Sequence, residues 1–300
     1  LVVNGTVYNE GNPSGTEIIE NGSANGCDSI IQVSLTFLEQ IYGNVEGSTA
    51  ICPGETVQLT LHLQGASSFN VELSDGRTFF NVSDGHTFLV TPLVTATYKI
   101  TLLTAVGSLC PVEIGPGATV TVSSLSPQIN TTNYDGFGVS CAGSADGAVL
   151  AMASGGIPPL SFLWNTGATT ADLSGIPAGS YTVTITDGVG CSRVASVALT
   201  APEPITVVSS GQAPDCFNET GGRILLDSLA GGVAPFEYSL DGQFFQSLGG
   251  LPDTISGLAA GSYNLWIQDV NDCQAQVAVG VPEAQELILE LGDDQTIKLG

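Results

Sequence analysis

Positive charge is the scarcest commodity in this sequence. Its 300 residues hold five Lys and Arg (Arg77, Lys99, Arg193, Arg223 and Lys298) against 29 Asp and Glu, for a formal net charge of −24. Nucleic-acid binding draws its affinity from Lys and Arg displacing counterions, so no nucleic-acid partner is expected. The same charge disfavours an anionic membrane surface, and no run of 18 apolar residues occurs, so no membrane insertion is expected from this segment. There are two histidines, His62 and His86. Neither belongs to an H-E-x-x-H pair, a G-x-S-x-G elbow or a His–Cys pairing, so both read as surface residues. Carboxylates are plentiful, but their spacing gives no support to a glycosidase pair. No enzyme is expected and no cofactor. The closest two cysteines are 25 apart, so no C-x-x-C zinc or redox motif exists. Helical periodicity is nearly missing: Ala284 to Leu291 offers two turns and nothing longer competes. The opening Leu1-Val2-Val3-Asn4 lacks the basic region of a signal peptide. With the end at Lys298-Leu299-Gly300, it reads as a segment of a longer chain.

What is present is strand patterning. Apolar residues make up 43%, enough for a core. Gly, Pro, Thr, Ser and Val dominate the rest, as in short strands joined by tight turns. Val57, Leu59, Leu61 and Leu63 alternate with Gln58, Thr60 and His62; Tyr181, Val183 and Ile185 alternate with Thr182, Thr184 and Thr186. That is the signature of half-buried antiparallel strands. The expected fold is all-β, a tandem of Ig-like antiparallel β-sandwich modules arranged as an elongated stalk.

An internal repeat organises the second half. Cys141 matches Cys216, and Gly155-Gly156, Pro159 and Phe162 match Gly231-Gly232, Pro235 and Tyr238. Leu173, Gly175, Gly179, Ser180 and Tyr181 match Ile255, Gly257, Gly261, Ser262 and Tyr263; Asp187 and Cys191 match Asp269 and Cys273. The extra length of the second copy falls around Gln243 to Pro252. A third module, 43–124, carries Cys52, Cys110 and a Tyr-led strand at Tyr98, expected to be equivalent to those of Tyr181 and Tyr263. The full division is 1–42 (tail of an upstream module), 43–124 (Ig-like), 125–203 and 204–284 (the two repeats) and 285–300 (start of a further module).

Seven cysteines spread evenly through a Lys-poor β chain suggest disulfides and an oxidising compartment; buried thiols are the alternative. Connectivity does not follow from sequence alone. If the Asp187–Cys191 turn returns the chain to the end where its module began, each pair brackets one sandwich. The expectation is then Cys52–Cys110, Cys141–Cys191 and Cys216–Cys273, with the partner of Cys27 upstream or absent.

The repeated pattern is Cys, then Asp-Gly or Gly-Gly, Gly-Gly-x-x-Pro-Phe/Tyr, Leu-x-x-Gly-x-Tyr and Asp-x-x-x-Cys. It resembles the SprB-type repeat of giant surface adhesins of gliding and filament-bearing Bacteroidota. Asp272 stands where that pattern has Gly. The 43–124 module resembles the Ig-like sandwiches beside such repeats, and Gly292 to Ile297 the start of another. The resemblance implies type IX export, an extracellular cell-surface location, and a structural role in adhesion, gliding or capture of other cells. The implied partners are neighbouring modules of the same chain, further copies in a homo-oligomer or filament bundle, and a target at a distal tip. It also implies that Asp-Ser/Thr-aliphatic motifs at Ser29, Ser228 and Thr254 are O-glycosylation acceptors, against chance in an Asp- and Ser-rich chain.

Two further sites stand out. Asp269, Asn271 and Asp272, and separately Asp293-Asp294, cluster oxygens that a calcium ion wants, although no D-x-D-x-D-G loop exists and Asp-rich turns commonly satisfy backbone N–H groups. Trp164 shares a face with Leu160 and Phe162 and belongs in a core. Trp266 points away from Leu265 and Ile267, so it is shielded by a loop or available to a neighbouring module or chain. Two other functions compete with the structural one: a glycan- or protein-binding module, and the accessory region of a secreted enzyme.

Overall fold

The computed structural model describes residues 1–35, 40–106, 110–217 and 220–286. Every regular element among them is a strand. Of the helical candidate 284–291, residues 284–286 are non-helical and the remainder lies outside the described residues. So do Asp293-Asp294 and the start of a further module.

The N-terminal stretch holds two hairpins. β1 (Val2–Val3) pairs with β2 (Thr6–Val7), and β3 (Ser14–Ile19) with β4 (Ser29–Ser34). Tyr8 is buried beside them, its hydroxyl donating to Glu17 Oε1 at 2.8 Å.

The next module contains β5 (Ile41–Glu46), β6 (Thr49–Ile51), β7 (Val57–Gln64), β8 (Phe69–Leu73), β9 (Thr78–Val82), β10 (Thr87–Val90), β11 (Ala96–Tyr98), β12 (Ile100–Ala105), β13 (Val112–Ile114) and β14 (Ala118–Val122). They assemble as β10-β7-β5-β13, β11-β14-β6 and β12-β8-β9. Alternation sets which face is buried: Leu59, Leu61 and Leu63 of β7 enter one core with Phe69, Val71, Leu73, Ile100 and Val120. Tyr98 departs from the expected equivalence with Tyr181 and Tyr263, each of which lies within one continuous eight-residue strand. It ends β11, paired to Ala118, and the chain then changes sheets so that β12 pairs with β8.

The first repeat contains β15 (Ser126–Thr131), β16 (Gly147–Ser154), β17 (Ser161–Trp164), β18 (Asp172–Ile176), β19 (Gly179–Thr186) and β20 (Ser192–Leu199). They form two sheets, β15-β16-β18 and β17-β19-β20. The second repeat follows the same plan with β21 (Thr206–Gln212), β22 (Gly222–Ala230), β23 (Glu237–Ser239), β24 (Gln246–Ser247), β25 (Asp253–Leu258), β26 (Gly261–Gln268) and β27 (Gln274–Val281). Its sheets are β21-β22-β25 and β24-β23-β26-β27. The added strand β24 falls in the extra residues of this copy. Tyr181 faces Val197 and Tyr263 faces Val279, so these two tyrosines occupy equivalent strands.

Each repeat closes two small sheets over its own core. One centres on Val149, Trp164, Val183 and Ile185, the other on Ile224, Leu226, Leu265 and Ile267. By contacts the chain forms two compact units. One is Leu1–Ser124 with Val189–Cys191; the other is Leu125–Gly188 with the described chain from Ser192 onward. Both repeats lie in the second, apart from Val189–Cys191 of the first repeat.

Candidate functional site: cysteines at the ends of the modules

In the first repeat, strand β16 separates two ends. At its start lies the loop carrying Cys141, where the chain also leaves the repeat: Gly138 N–H donates to the Thr200 carbonyl at 2.9 Å. This is the outlet end. At the close of β16 lies the Gly155-Gly156 turn, and the β19–β20 turn is tied there. Gly188 N–H donates to the Ile157 carbonyl (2.6 Å), and Ile157 N–H donates to Asp187 Oδ2 (3.1 Å). This inlet end carries Cys191.

The second repeat reproduces the arrangement. Cys216 follows β21 at the outlet, where Gly222 packs against Val281, the last residue of β27. At the inlet, the Asp269 carboxylate accepts from Val233 N–H, Asn271 N–H and Cys273 N–H, each at 2.9 Å. Asp187 and Asp269 are 5% and 4% exposed. A buried carboxylate persists only when hydrogen bonds replace its water, and here those bonds tie the cysteine-bearing turn to the Gly-Gly turn. Asp272 adopts φ +63°, the left-handed form that Gly190 takes at +89°, so its departure from the Gly pattern leaves the turn's hand unchanged. Each repeat adds a second brace near the start of its inner strand. Tyr181 Oη donates to the Pro177 carbonyl (2.8 Å), and Tyr263 Oη to the Ala259 carbonyl (2.9 Å).

The disulfides differ from all three expected pairs. They are Cys52–Cys191, 139 residues apart, and Cys141–Cys273, 132 apart, with Cα–Cα distances of 5.4 and 5.5 Å. The physical reason is strand length. The Asp187–Cys191 turn does return to the end where its module begins, but the first cysteine is not there. Strand β15 crosses the module before Cys141 and delivers it to the outlet. The eight residues of β16 then separate Cys141 from Cys191 by about 26 Å, whereas bridged cysteines need Cα atoms within about 7 Å. The same holds for Cys216 and Cys273 across β22. In the 43–124 module, Ile41 N–H donates to the Pro111 carbonyl, placing Cys110 beside the start of β5. Ser123 N–H donates to the Ile51 carbonyl, placing Cys52 beside the end of β14. Cys110 is half-buried against the first core. Cys27 and Cys216 are exposed and lie outside both bonds.

The Cys141–Cys273 bond straddles the junction of the two repeats. Cys141, Cys273, Gly232 and the linker residues Pro202, Glu203 and Pro204 line one small cleft. Gly232 N–H donates to the Glu203 carbonyl at 2.8 Å. Gly231 (φ +73°) passes so close to the Pro204 carbonyl that a Cβ would collide with it. Glycine is required there by both conformation and space.

The other sequence-derived sites are placed as follows. The Asp269 carboxylate is committed to backbone N–H groups, and Asp272 Oδ1 accepts from Gln268 Nε2. Among the described residues, no three His, Cys, Asp or Glu side chains gather as a metal cluster. Trp266 is half-buried, and Gly242 of the turn after β23 lies over its indole. The loop covers part of the ring, and the rest is open to solvent. Trp164, 2% exposed, donates from Nε1 to the Thr170 carbonyl at 2.9 Å. Ser29 lies half-buried at the start of β4, while Ser228 in β22 and Thr254 in β25 are exposed. His62 Nδ1 sits 3.0 Å from Asp84 Oδ1, and His86 packs against Phe79 with the rings tilted by 60° and their centroids 4.9 Å apart. Bonding from Leu63 N–H, aided by His62, holds the Asp84 carboxyl below its usual range.

One surface feature escaped the sequence reading. The extra hairpin of the second repeat leaves a cleft lined by Tyr238, Asp241, Phe244, Gln246 and Tyr263. Phe244 is 76% exposed at its lip. Asp241 organises the turn, accepting from Phe244 N–H (2.9 Å), Gln243 N–H (2.8 Å) and Ser239 Oγ (2.8 Å), which lowers its pKa. The insertion between β23 and β25 was the available signal.

Residues 139–169 match the family model described as "SprB repeat". The match covers the Cys141 loop, β16 and the Gly-Gly turn. No protein with a curated description matches the sequence. Similar solved structures include three Ig domains of titin, I67–I69, at 12% identity and TM-score 0.35, covering 82% of this chain and 97% of that one. Another is the Ig1–Ig3 ectodomain of mouse nectin-like molecule 4, at 12% identity and TM-score 0.34, covering 84% and 100%. The fold itself is read from the sheets: all-β, in small modules of paired sheets, one of which contains the stretch matched by the SprB repeat model. Among the described residues, no helix is long and apolar enough to cross a membrane.

Proposed function

We propose that this chain, an SprB-type match set among Ig-like β modules, is a non-catalytic structural segment of an extracellular adhesin or filament that carries load between a cell surface and its attachment point. The observation behind this is the Cys141–Cys273 bond, which spans a module junction instead of stapling one module. A junction-spanning bond adds nothing to the chemistry of a site; it keeps neighbours joined when the backbone between them is pulled or cut. Two disulfides suit an oxidising, extracellular location. Export by the type IX system and lateral bundling of copies complete the proposal.

The test is attachment under flow. In cells carrying the paired change Cys141→Ser and Cys273→Ser in the full protein, surface attachment at rest should persist and attachment under shear should fall. Equal retention of the paired variant and the unaltered protein under shear would remove the load-bearing role.

A second reading is favoured by the aromatic cleft of the second repeat: glycan recognition by Tyr238, Phe244 and Tyr263. Binding to a glycan array that disappears with Phe244→Ala would select it.

A further inference from the structure

We propose that Cys216 is half of a third junction-spanning disulfide, its partner being the inlet cysteine of a module that follows in the same chain. The inference rests on the structural reading above and adds a rule to it: the outlet cysteine of one module bonds the inlet cysteine of the next.

Two bonds obey this rule. Cys52 bonds Cys191, and Cys141 bonds Cys273, at the similar separations of 139 and 132 residues. In each, the first partner follows the opening strand or strands of its module, and the second lies in the turn before the last strand of a later one. Geometry explains why the rule holds between the repeats. The chain leaves the first repeat beside Cys141 and enters the second beside Cys273. The five residues from Ala201 to Ile205 therefore deliver one cysteine to the other.

Cys216 occupies the place of Cys141. It lies between β21 and β22 as Cys141 lies between β15 and β16. It stands at the outlet, where a Cβ on Gly211 or Gly222 would run into Gly280 or Val281 at the end of β27. Its own module offers no partner, because Cys273 is bonded and lies at the far end of β22. The thiol is exposed, as a bond directed out of the module requires.

The chemistry is thiol–disulfide exchange with an oxidised dithiol oxidoreductase of the compartment where the chain folds. The Cys216 thiolate attacks the oxidant's disulfide, giving a mixed disulfide and releasing one oxidant thiolate. The thiolate of the following module then attacks the Cys216 sulfur and releases the second. Two protein thiols become one disulfide, and the oxidant's disulfide becomes a dithiol.

The test is peptide mapping of the full-length protein, alkylated before reduction. The expected result is a Cys216 peptide joined to a cysteine roughly 130–140 residues further along, with Cys216 labelled only after reduction. Recovery of Cys216 as an alkylated thiol, joined to Cys216 of a second copy, or joined to Cys27 would overturn the inference. Recovering Cys52–Cys191 and Cys141–Cys273 alongside a free Cys216 would end the rule at the second repeat and leave the structural reading standing. Loss of those two bonds would undermine both.

Discussion

Pulling the ends of this chain apart should show how the crossed disulfides limit its length. The bonds Cys52–Cys191 and Cys141–Cys273 overlap between residues 141 and 191. With both intact, the shortest covalent route from Cys52 to Cys273 runs through Cys191, back along the backbone to Cys141, and across the second bond. About 50 residues then limit the extension, roughly 175 Å at about 3.5 Å per residue. With both bonds reduced, all of the roughly 220 residues from Cys52 to Cys273 can extend, to about 770 Å. In single-molecule force spectroscopy with handles at both termini, the reduced chain should therefore yield about 600 Å more than the oxidised one, a difference independent of the tails. Pairing within each module would leave a similar oxidised limit, so a variant must separate the two patterns. Cys216→Ala should leave the oxidised extension unchanged, because Cys216 takes part in neither bond. Under within-module pairing, the same change would free the second repeat and raise the limit to about 400 Å. That longer extension in the Cys216→Ala variant would refute the crossed connectivity.

Asp269→Ala should destabilise the second repeat by about 3–5 kcal/mol in denaturant melts, because three N–H donors at a largely buried turn lose their acceptor. Thermal stability should pass through a maximum near the usual carboxylate range as pH falls. Neutralising part of the −24 charge first relieves self-repulsion. Below the unfolded-state value of 3.8, the depressed carboxyls of Asp84, Asp146 and Asp241 begin to protonate, and the stability that they supply above that value is lost as pH drops through their lower folded pKa values. A melting temperature that rises steadily down to pH 2 would contradict this. A protease cut between Ala201 and Ile205 should leave the chain in one piece on a non-reducing gel and in two after reduction, since Cys141–Cys273 spans the site.

Much of this was legible in the residues. Period-two alternation at Val57–Leu63 and Tyr181–Thr186 identified strands and their buried faces, because a sheet with one face in a core leaves no other pattern. The matched motifs also located β19 and β26, the Gly-Gly turns and the added loop of the second copy. Three things were not legible. Tyr98 leads an apolar alternation like that of Tyr181, and a change of sheet at Lys99 leaves that alternation intact. The disulfides were misassigned because spacing reports how far apart two cysteines lie in sequence, not at which end of a module each one emerges. Counting the strands before each cysteine would have corrected this: β15 before Cys141 reverses its end, and the β19–β20 turn brings Cys191 back to the other. The cleft at Phe244 depends on how one loop folds over a sheet, which alternation does not encode.

The shared spacing of twelve residues from Gly179 to Cys191 and from Gly261 to Cys273 acquires a physical meaning from the turn that it contains. A cysteine that bonds within its own module is guided by that module's folding. One that bonds a neighbour must be held ready at the surface, in a fixed position, until the neighbour arrives. Asp269 supplies that hold in the second repeat: its carboxylate accepts from Cys273 N–H and from Val233 N–H, so the cysteine's backbone is bound to the inlet turn by its own module. Gly232 N–H in turn grips the linker carbonyl of Glu203. Linker, Gly-Gly turn, aspartate and cysteine thus form one hydrogen-bonded assembly, and it faces the outlet cysteine of the preceding repeat. In both repeats the aspartate of the Asp-x-x-x-Cys motif ties the cysteine-bearing turn to the Gly-Gly turn, although the two lie more than thirty residues apart in sequence.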